Sequence, residues 1–572
     1  MTGSTAVSGF VPAEIDASVW DNVRPLFEAL TGREVGGASE LEAWLVDRSE
    51  LDATCSEARA ELYIRMTCYT DDEQASAAWT TYLEDTLPPL KSASFALDTR
   101  QAELMAAHPL DPLRYGVLAR ETETDVRLFR EQNVPIESEL AKLDQQYDQI
   151  IGAMMVDFDG ETRTLPQMAK FQESSDRDER EGAWRVGAER RLEDSDAIET
   201  IFEEMVAKRH TLAQNAGFDD YRAYAFDAMH RFDYTPAMCE SFHEAVEKHV
   251  VPFVKKLESR RRKSLGIDKL RPWDVGVDEN GRDPLTPFKT GQELISKARA
   301  TFGKLDGGLS SLFRSLGDDM AGSFDLESRK GKASGGYQYM RDRSRTPFIF
   351  MNAAGLHRDV ETMVHEAGHA FHSMLCKQEP LVHYRHSPIE FAEVASMTME
   401  LLTMPHWDVF YPNEEDANRA RRKQMEGSLS LLPWIATIDA FQHWIYTHPT
   451  HTRGARRECW LALNQRFGTE LDWEGVEESL EKQWQRQGHL FGVPFYYIEY
   501  GIAQLGALGI WERSLKEGID RALELYKAAL TIGGARPLPE LFQSAGVPFD
   551  FSAGRIEGLV RMVENELEKL PA

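Results

Sequence analysis

Two histidines four residues apart, with a glutamate directly after the first, form the pattern His365-Glu366-Ala367-Gly368-His369. Around it Val360, Met363, Val364, Ala367, Ala370, Phe371 and Met374 recur at steps of three and four, and that period predicts a helix. On a helix, residues four apart share a face, so both imidazoles can address one ion. Glu366 stands beside the first of them, where it reaches water activated at that ion rather than the ion itself. Neutral nitrogen ligands, an open coordination position and an adjacent base are what a zinc hydrolase needs. The plainer alternative is a buried helix with two core histidines. Gly368 speaks against it, because an interior helix glycine costs about 1 kcal/mol relative to alanine and implies a packing reason.

Two histidines do not close a catalytic zinc site, and the next helix offers a third ligand. Ser387-Pro388-Ile389-Glu390 reads as a capping box with proline at the first helical position, which assigns Glu390 to the helix N-terminus. Glu393 lies one turn further on, and Glu400 shares its face two turns beyond that. Their neighbours are mostly apolar, which argues against a solvated face. Two histidines plus a glutamate from a second helix is the thermolysin-type ligand set. Glu393 is the expected ligand, with Glu390 or Glu400 supporting it.

Amide hydrolysis also needs donors for the oxyanion that forms on the scissile carbonyl. Gly488-His489-Leu490-Phe491-Gly492 reads as a mobile loop flanked by glycines. Pro494 then opens a helix with Tyr497, Tyr500 and Gln504 on one face. Without other context these tyrosines read as core packing.

Taken together, the HExxH helix, Glu393 and the run His489 to Tyr500 resemble the oligoendopeptidase F branch of the thimet-oligopeptidase-like zinc peptidases. Leu270-Arg271-Pro272-Trp273-Asp274, Ser334-Gly335-Gly336-Tyr337 and Gly501-Ile502-Ala503-Gln504-Leu505-Gly506 extend the resemblance in the same order over about residues 115 to 560. The resemblance implies a mainly α, two-lobed fold with a deep central channel that excludes folded proteins. It implies one Zn²⁺ per chain on His365, His369 and Glu393, and hydrolysis of internal bonds in short peptides with Glu366 as general base. It also implies His489 and Tyr500 as oxyanion donors, with Tyr497 one turn away. Pro494-Phe495 replaces a glycine-tyrosine-aspartate run of the thimet-type branch, a departure that touches a further tyrosine contact. Two rival readings are a helical metallocarboxypeptidase with the same ligand set and a non-catalytic peptide-binding protein.

The elements that must position these residues are mostly helical. Residues 1 to about 110 read as amphipathic helices, and a helical stretch from Glu121 to Ile151 breaks near Asn133-Val134-Pro135. An N-terminal lobe over 1–195 and a catalytic domain over 196–572 are expected. The mixed-sign run Asp176 to Glu181 reads as a solvated helix face, and Arg260 to Lys263 as an exposed helix end near Gly266. Gly335 to Met340 and Pro347 to Asn352 suit two short strands, the only convincing sheet signal. An edge strand there could hold an extended peptide; a small structural hairpin is the alternative. A helical stretch from Asn418 to Thr447 precedes the histidine–tyrosine block.

Composition sets the outer bounds. A chain of 572 residues that is 42% hydrophobic has ample material for a large core. A net charge of −29 argues against a nucleic-acid partner, whose phosphates demand a basic face. The five cysteines are scattered, odd in number and without a CxxC pair, so no disulfide scaffold is expected. Met1 to Ala6 lack a basic stretch before an apolar core, and no apolar run reaches the roughly 18 residues of a membrane span. A cytoplasmic protein with short peptides as partners is the expectation, its oligomeric state left open.

Overall fold

The computed structural model describes residues 9–317, 322–329, 331–333 and 335–571. Met1 to Ala6 and Ser334, on which two of the expectations rest, lie outside them. Helical periodicity is realised along most of the chain, giving a mainly helical fold with two small sheets among the described residues. Five helices matter below: α1 (Pro236–Ala245), α2 (His357–Leu375), α3 (Ile389–Thr403), α4 (Glu414–Thr447) and α5 (Tyr497–Glu517). No helix among the described residues is long and apolar enough to cross a membrane.

Apolar burial gathers into one large core and several smaller ones. The large core runs from Leu143 to Leu567 and takes in the buried faces of α2 to α5. A second forms on N-terminal helices, with Val23, Phe27, Trp44, Leu97 and Leu104, and closes on Leu381 and Tyr384. The expected break near Asn133 is present, since a helix Pro112–Leu128 gives way to a second at Val134–Gly152.

The sheet before α2 has three strands rather than two. In chain order the strands are β1 (Met155–Phe158), β2 (Glu161–Thr164), β3 (Phe324–Glu327), β4 (Tyr337–Arg341) and β5 (Thr346–Ala353). β5 is central, parallel to β3 and antiparallel to β4, so β4 is an edge. Alternation along β5 sends Ile349 and Met351 into the large core, while Phe348 and Phe350 pack on Ile64 and Cys68 of the helix Ala38–Cys68. The sheet is thereby held between that helix and the core beneath α2. β1 and β2 form a hairpin absent from the expected elements. Its turn is Asp159-Gly160, both at positive φ, a type I′ signature that the sequence did carry.

Two charged runs differ from expectation. Arg180 is buried and reaches Asp274, which Arg177 also binds at 2.8 Å, so the run 176–181 is partly an internal clamp rather than a solvated face. A fully desolvated Asp274 needs these partners, and they lie far away in sequence. Arg260, near the end of the helix Val251–Ser264, bridges Glu279 and Glu426 instead of standing free.

Candidate active site

The start of α2 is set by Asp359, whose carboxylate accepts from the Ala354 and Leu356 amides at 2.8 and 2.9 Å. Val360, Met363, Val364, Ala367, Ala370 and Phe371 are fully buried along one side. This leaves His365 and His369, half-buried, on a common edge facing α3. Gly368 is the reason α3 comes so close. A Cβ there would stand 2.5 Å from Ser396 Cα and 2.7 Å from the Ala395 carbonyl oxygen. Backbone cannot yield as a side chain does, so Gly368→Ala must push α2 and α3 apart. It is expected to cost about 1–3 kcal/mol, the usual range for overpacking, and to weaken zinc binding. Denaturation and zinc titration check this; a variant unchanged in both would refute the contact's role.

Glu393 projects across this seam. Its Oε2 lies 3.3 Å from His365 Nε2 and 3.5 Å from His369 Nε2. Ser396 Oγ donates to the same oxygen and the Tyr496 hydroxyl to Oε1, at 3.0 and 3.2 Å. His365 Nδ1 meets Glu400 Oε1 at 2.7 Å, and Gln424 Nε2 of α4 donates to Glu400 Oε2 at 2.8 Å. With Nδ1–H given to Glu400, the Nε2 lone pair of His365 is directed at the cradle.

The cradle fits zinc on two grounds. Two nitrogens and an oxygen at bonds of about 2.0–2.2 Å around a tetrahedral ion stand roughly 3.3 Å apart, close to the spacing found here. The electrostatics also call for positive charge between them. Burial works against charging His365, yet hydrogen bonds to Glu393 and Glu400 outweigh it and hold its pKa well above the usual value. Burial likewise opposes ionisation of Glu393, and the neighbouring imidazoles overcome it, holding the carboxyl well below the usual range. Glu366 is different: burial dominates and pushes its carboxyl up, in keeping with a proton acceptor rather than a ligand.

The capping box expected at Ser387 does not form. Pro388 itself is the N-cap, so Glu390 is one position short of N3, and the Ser387 hydroxyl turns to the Pro388 carbonyl. Glu390 is buried and accepts from the Tyr234 hydroxyl at 2.7 Å. Of the two supporting candidates, Glu400 touches a motif histidine and Glu390 bonds elsewhere.

His489 does not sit in a loop. His489–Gly492 is a short helical turn and α5 begins at Tyr497, later than Pro494. Between them Phe495 is buried with φ 69°, held by Gln442 Oε1 on its amide and Arg231 on its carbonyl. That left-handed residue, costly for an aromatic, redirects the chain just before the tyrosine pair. Tyr496 thereby reaches Glu393, whereas the Tyr497 ring packs against His489 and Tyr500. Tyr500 OH is 3.4 Å from His489 Nε2. Tyr496 was missed because the expected helix began too early; its i,i+4 spacing to Tyr500 was the available signal.

The protonation of His489 follows from its neighbours. Trp434 Nε1–H, a donor only, bonds Gln487 Oε1 at 3.0 Å, so the Gln487 amide nitrogen faces His489 Nδ1 at 2.7 Å. Nδ1 then accepts, and the ring proton resides on Nε2. Burial holds the pKa of His489 down, keeping it neutral, and burial raises those of Tyr496 and Tyr500, keeping them donors.

Fold and site together define a mainly helical protein built around an HExxH helix and a glutamate from its neighbour. The chain belongs to peptidase family M3, whose family model matches residues 170–559. Oligopeptidase PepF of Bacillus subtilis is 24% identical over 343 residues, which cover 57% of this chain and 48% of the relative. An oligoendopeptidase F homolog of Lactococcus lactis subsp. lactis is 24% identical over 349 residues, 57% of this chain and 53% of the relative. The matched stretches span about half the length of these relatives. Among solved structures, PZ peptidase A with an inhibitor superposes with a TM-score of 0.89 at 27% identity, covering 96% of this chain and 97% of that one. Oligoendopeptidase-F from Enterococcus faecium shares the fold, with a TM-score of 0.61 at 16% identity over 95% and 96% of the two chains.

Proposed function

We propose that this protein is a zinc-dependent oligoendopeptidase that hydrolyses internal bonds of short peptides. The observation that carries the reading is the convergence of His365, His369 and Glu393 next to Glu366, with Tyr496 joining the His489–Tyr500 block to Glu393. His365, His369 and Glu393 would hold the ion, which when bound supplies Lewis-acid polarisation of a carbonyl and acidification of water. Glu366 takes the proton of the attacking water and returns it to the leaving amine. His489 Nε2–H and the Tyr500 hydroxyl donate to the oxyanion of the tetrahedral intermediate. Edge strand β4 supports alignment of an extended peptide. Gly336, just before it, lies so near α2 that a Cβ there would be 3.9 Å from Glu366 Oε1. The five free cysteines, four of them buried, suit a reducing compartment such as the cytoplasm.

The test is a fluorogenic peptide series of graded length, blocked at both ends, run beside matched peptides with a free C-terminus. Chelator-sensitive internal cleavage that fades with length and returns with zinc is expected. Cleavage confined to free C-termini would move the reading to a carboxypeptidase, and zinc binding without any cleavage would leave a peptide-binding protein. Glu400→Gln is a separate check on the cradle. Loss of the carboxylate behind His365 should weaken zinc binding about 10- to 100-fold. Competition with a chromogenic chelator measures this, and an unchanged affinity would remove Glu400 from the site.

A further inference from the structure

A second group of ligand-type side chains lies between α1 and α4 and has no part in the proposed mechanism. Cys239 and His243 are four apart on α1, and Asp439 and His443 are four apart on α4. Each pair therefore shares a helix face. All four residues are buried, Cys239 and Asp439 completely. Cys239 Sγ, a carboxylate oxygen of Asp439 and a ring nitrogen of His443 lie within 4.8 Å of one another.

Hydrogen bonding does not account for the group. His243 Nε2 donates to Asp439 Oδ2 at 2.8 Å. His443 Nε2 stands 3.3 Å from that same oxygen, so both imidazoles crowd one carboxylate oxygen and leave the other open. His443 Nδ1 and Asp439 Oδ1 are buried and have no hydrogen-bond partner among the described residues. Buried polar atoms are nearly always paired, so two left open on residues that share one face of α4 require an explanation.

We propose that Cys239, Asp439 and His443 bind a divalent cation of the zinc type, a second site that clasps α1 to α4. A thiolate, a carboxylate and a neutral imidazole together carry two negative charges, which a divalent ion cancels, so the loaded group can be buried without net charge. The thiol releases its proton to solvent on binding. Thiolate with imidazole selects zinc over magnesium or calcium, which prefer oxygen. His243 then has the role of orienting Asp439, as a carboxylate ligand's hydrogen-bond partner does.

Zinc is counted by mass spectrometry after exhaustive dialysis of zinc-loaded full-length chain, in the wild type and in a His365→Ala/His369→Ala variant. Two equivalents are expected in the wild type and one in the variant. Cobalt loading of the same variant should give a thiolate-to-cobalt charge-transfer absorption, which the catalytic cradle cannot produce because it contains no sulfur. Cys239→Ser should abolish that band. One equivalent in the wild type and none in the variant would overturn the second site while leaving the catalytic cradle intact. Cobalt binding to the variant without a thiolate band would also overturn it. Because that variant leaves the α1–α4 group untouched, the result stands even where Cys239→Ser fails to fold. Two equivalents retained in the variant, with the band present, would support this site and instead overturn the catalytic cradle.

Discussion

Glu366→Gln is expected to lower kcat by about 10²- to 10⁴-fold, the range for loss of a general base, with zinc content and fold unchanged. Glutamine preserves the shape of the side chain and its ability to hydrogen-bond, and removes only its capacity to carry a proton. The three donor atoms that face one another come from His365, His369 and Glu393, so the ion should stay when Glu366 is neutralised. Glu366 is buried and its carboxyl is pushed up by that burial, which makes it a stronger base than a solvated glutamate. If the lost interaction acts in the transition state alone, kcat and kcat/KM fall together while KM stays near its original value. Steady-state kinetics on a blocked peptide, paired with metal analysis, decides the matter. A kcat within tenfold of wild type would exclude Glu366 as the base. Loss of zinc would mean that the residue supports the cradle instead.

The residues of this site differ in how far they could be read from the chain. The α2 histidines were legible because helix period and ligand spacing are the same local fact. Glu393 was legible as a face of α3, and Glu400 followed from it by two helical turns. Gly368 carried a cost that only a close neighbour explains, and α3 is that neighbour. What escaped was set by chain-distant partners or by one-residue shifts. Arg180 belongs to Asp274, 94 residues away, and no local pattern announces such a pair. Ser387 misses its capping role by one position because Pro388 occupies the N-cap. Tyr496 escaped for a related reason, since the left-handed turn at Phe495 delays α5 and hands the contact with Glu393 to the earlier tyrosine. Departure from the thimet-type branch at Pro494-Phe495 falls on that same turn. That turn brings the Tyr496 hydroxyl to Glu393.

Tyr500→Phe should lower kcat by about 10²- to 10³-fold, the usual effect of removing one oxyanion donor, and leave KM and zinc affinity near wild type. The hydroxyl is its only loss, and the ring packing with Tyr496, Tyr497 and His489 is retained. The Tyr496 hydroxyl is one of two that hold Glu393, on Oε1, so the same substitution at Tyr496 should instead weaken zinc binding. This contrast separates an oxyanion donor from a residue that orients a ligand. Gln487→Leu extends the test one step outward. Its amide holds the ring proton of His489 on Nε2, and Trp434 holds the amide. Without it the imidazole can place its proton on Nδ1 and present a lone pair to the oxyanion, which repels rather than stabilises. A fall in kcat without a rise in KM, in a variant whose zinc content is unchanged, is the expected result. Should Gln487→Leu and Tyr500→Phe both leave kcat intact, the oxyanion would have to be held by the ion and the backbone alone, and the histidine–tyrosine block would revert to packing.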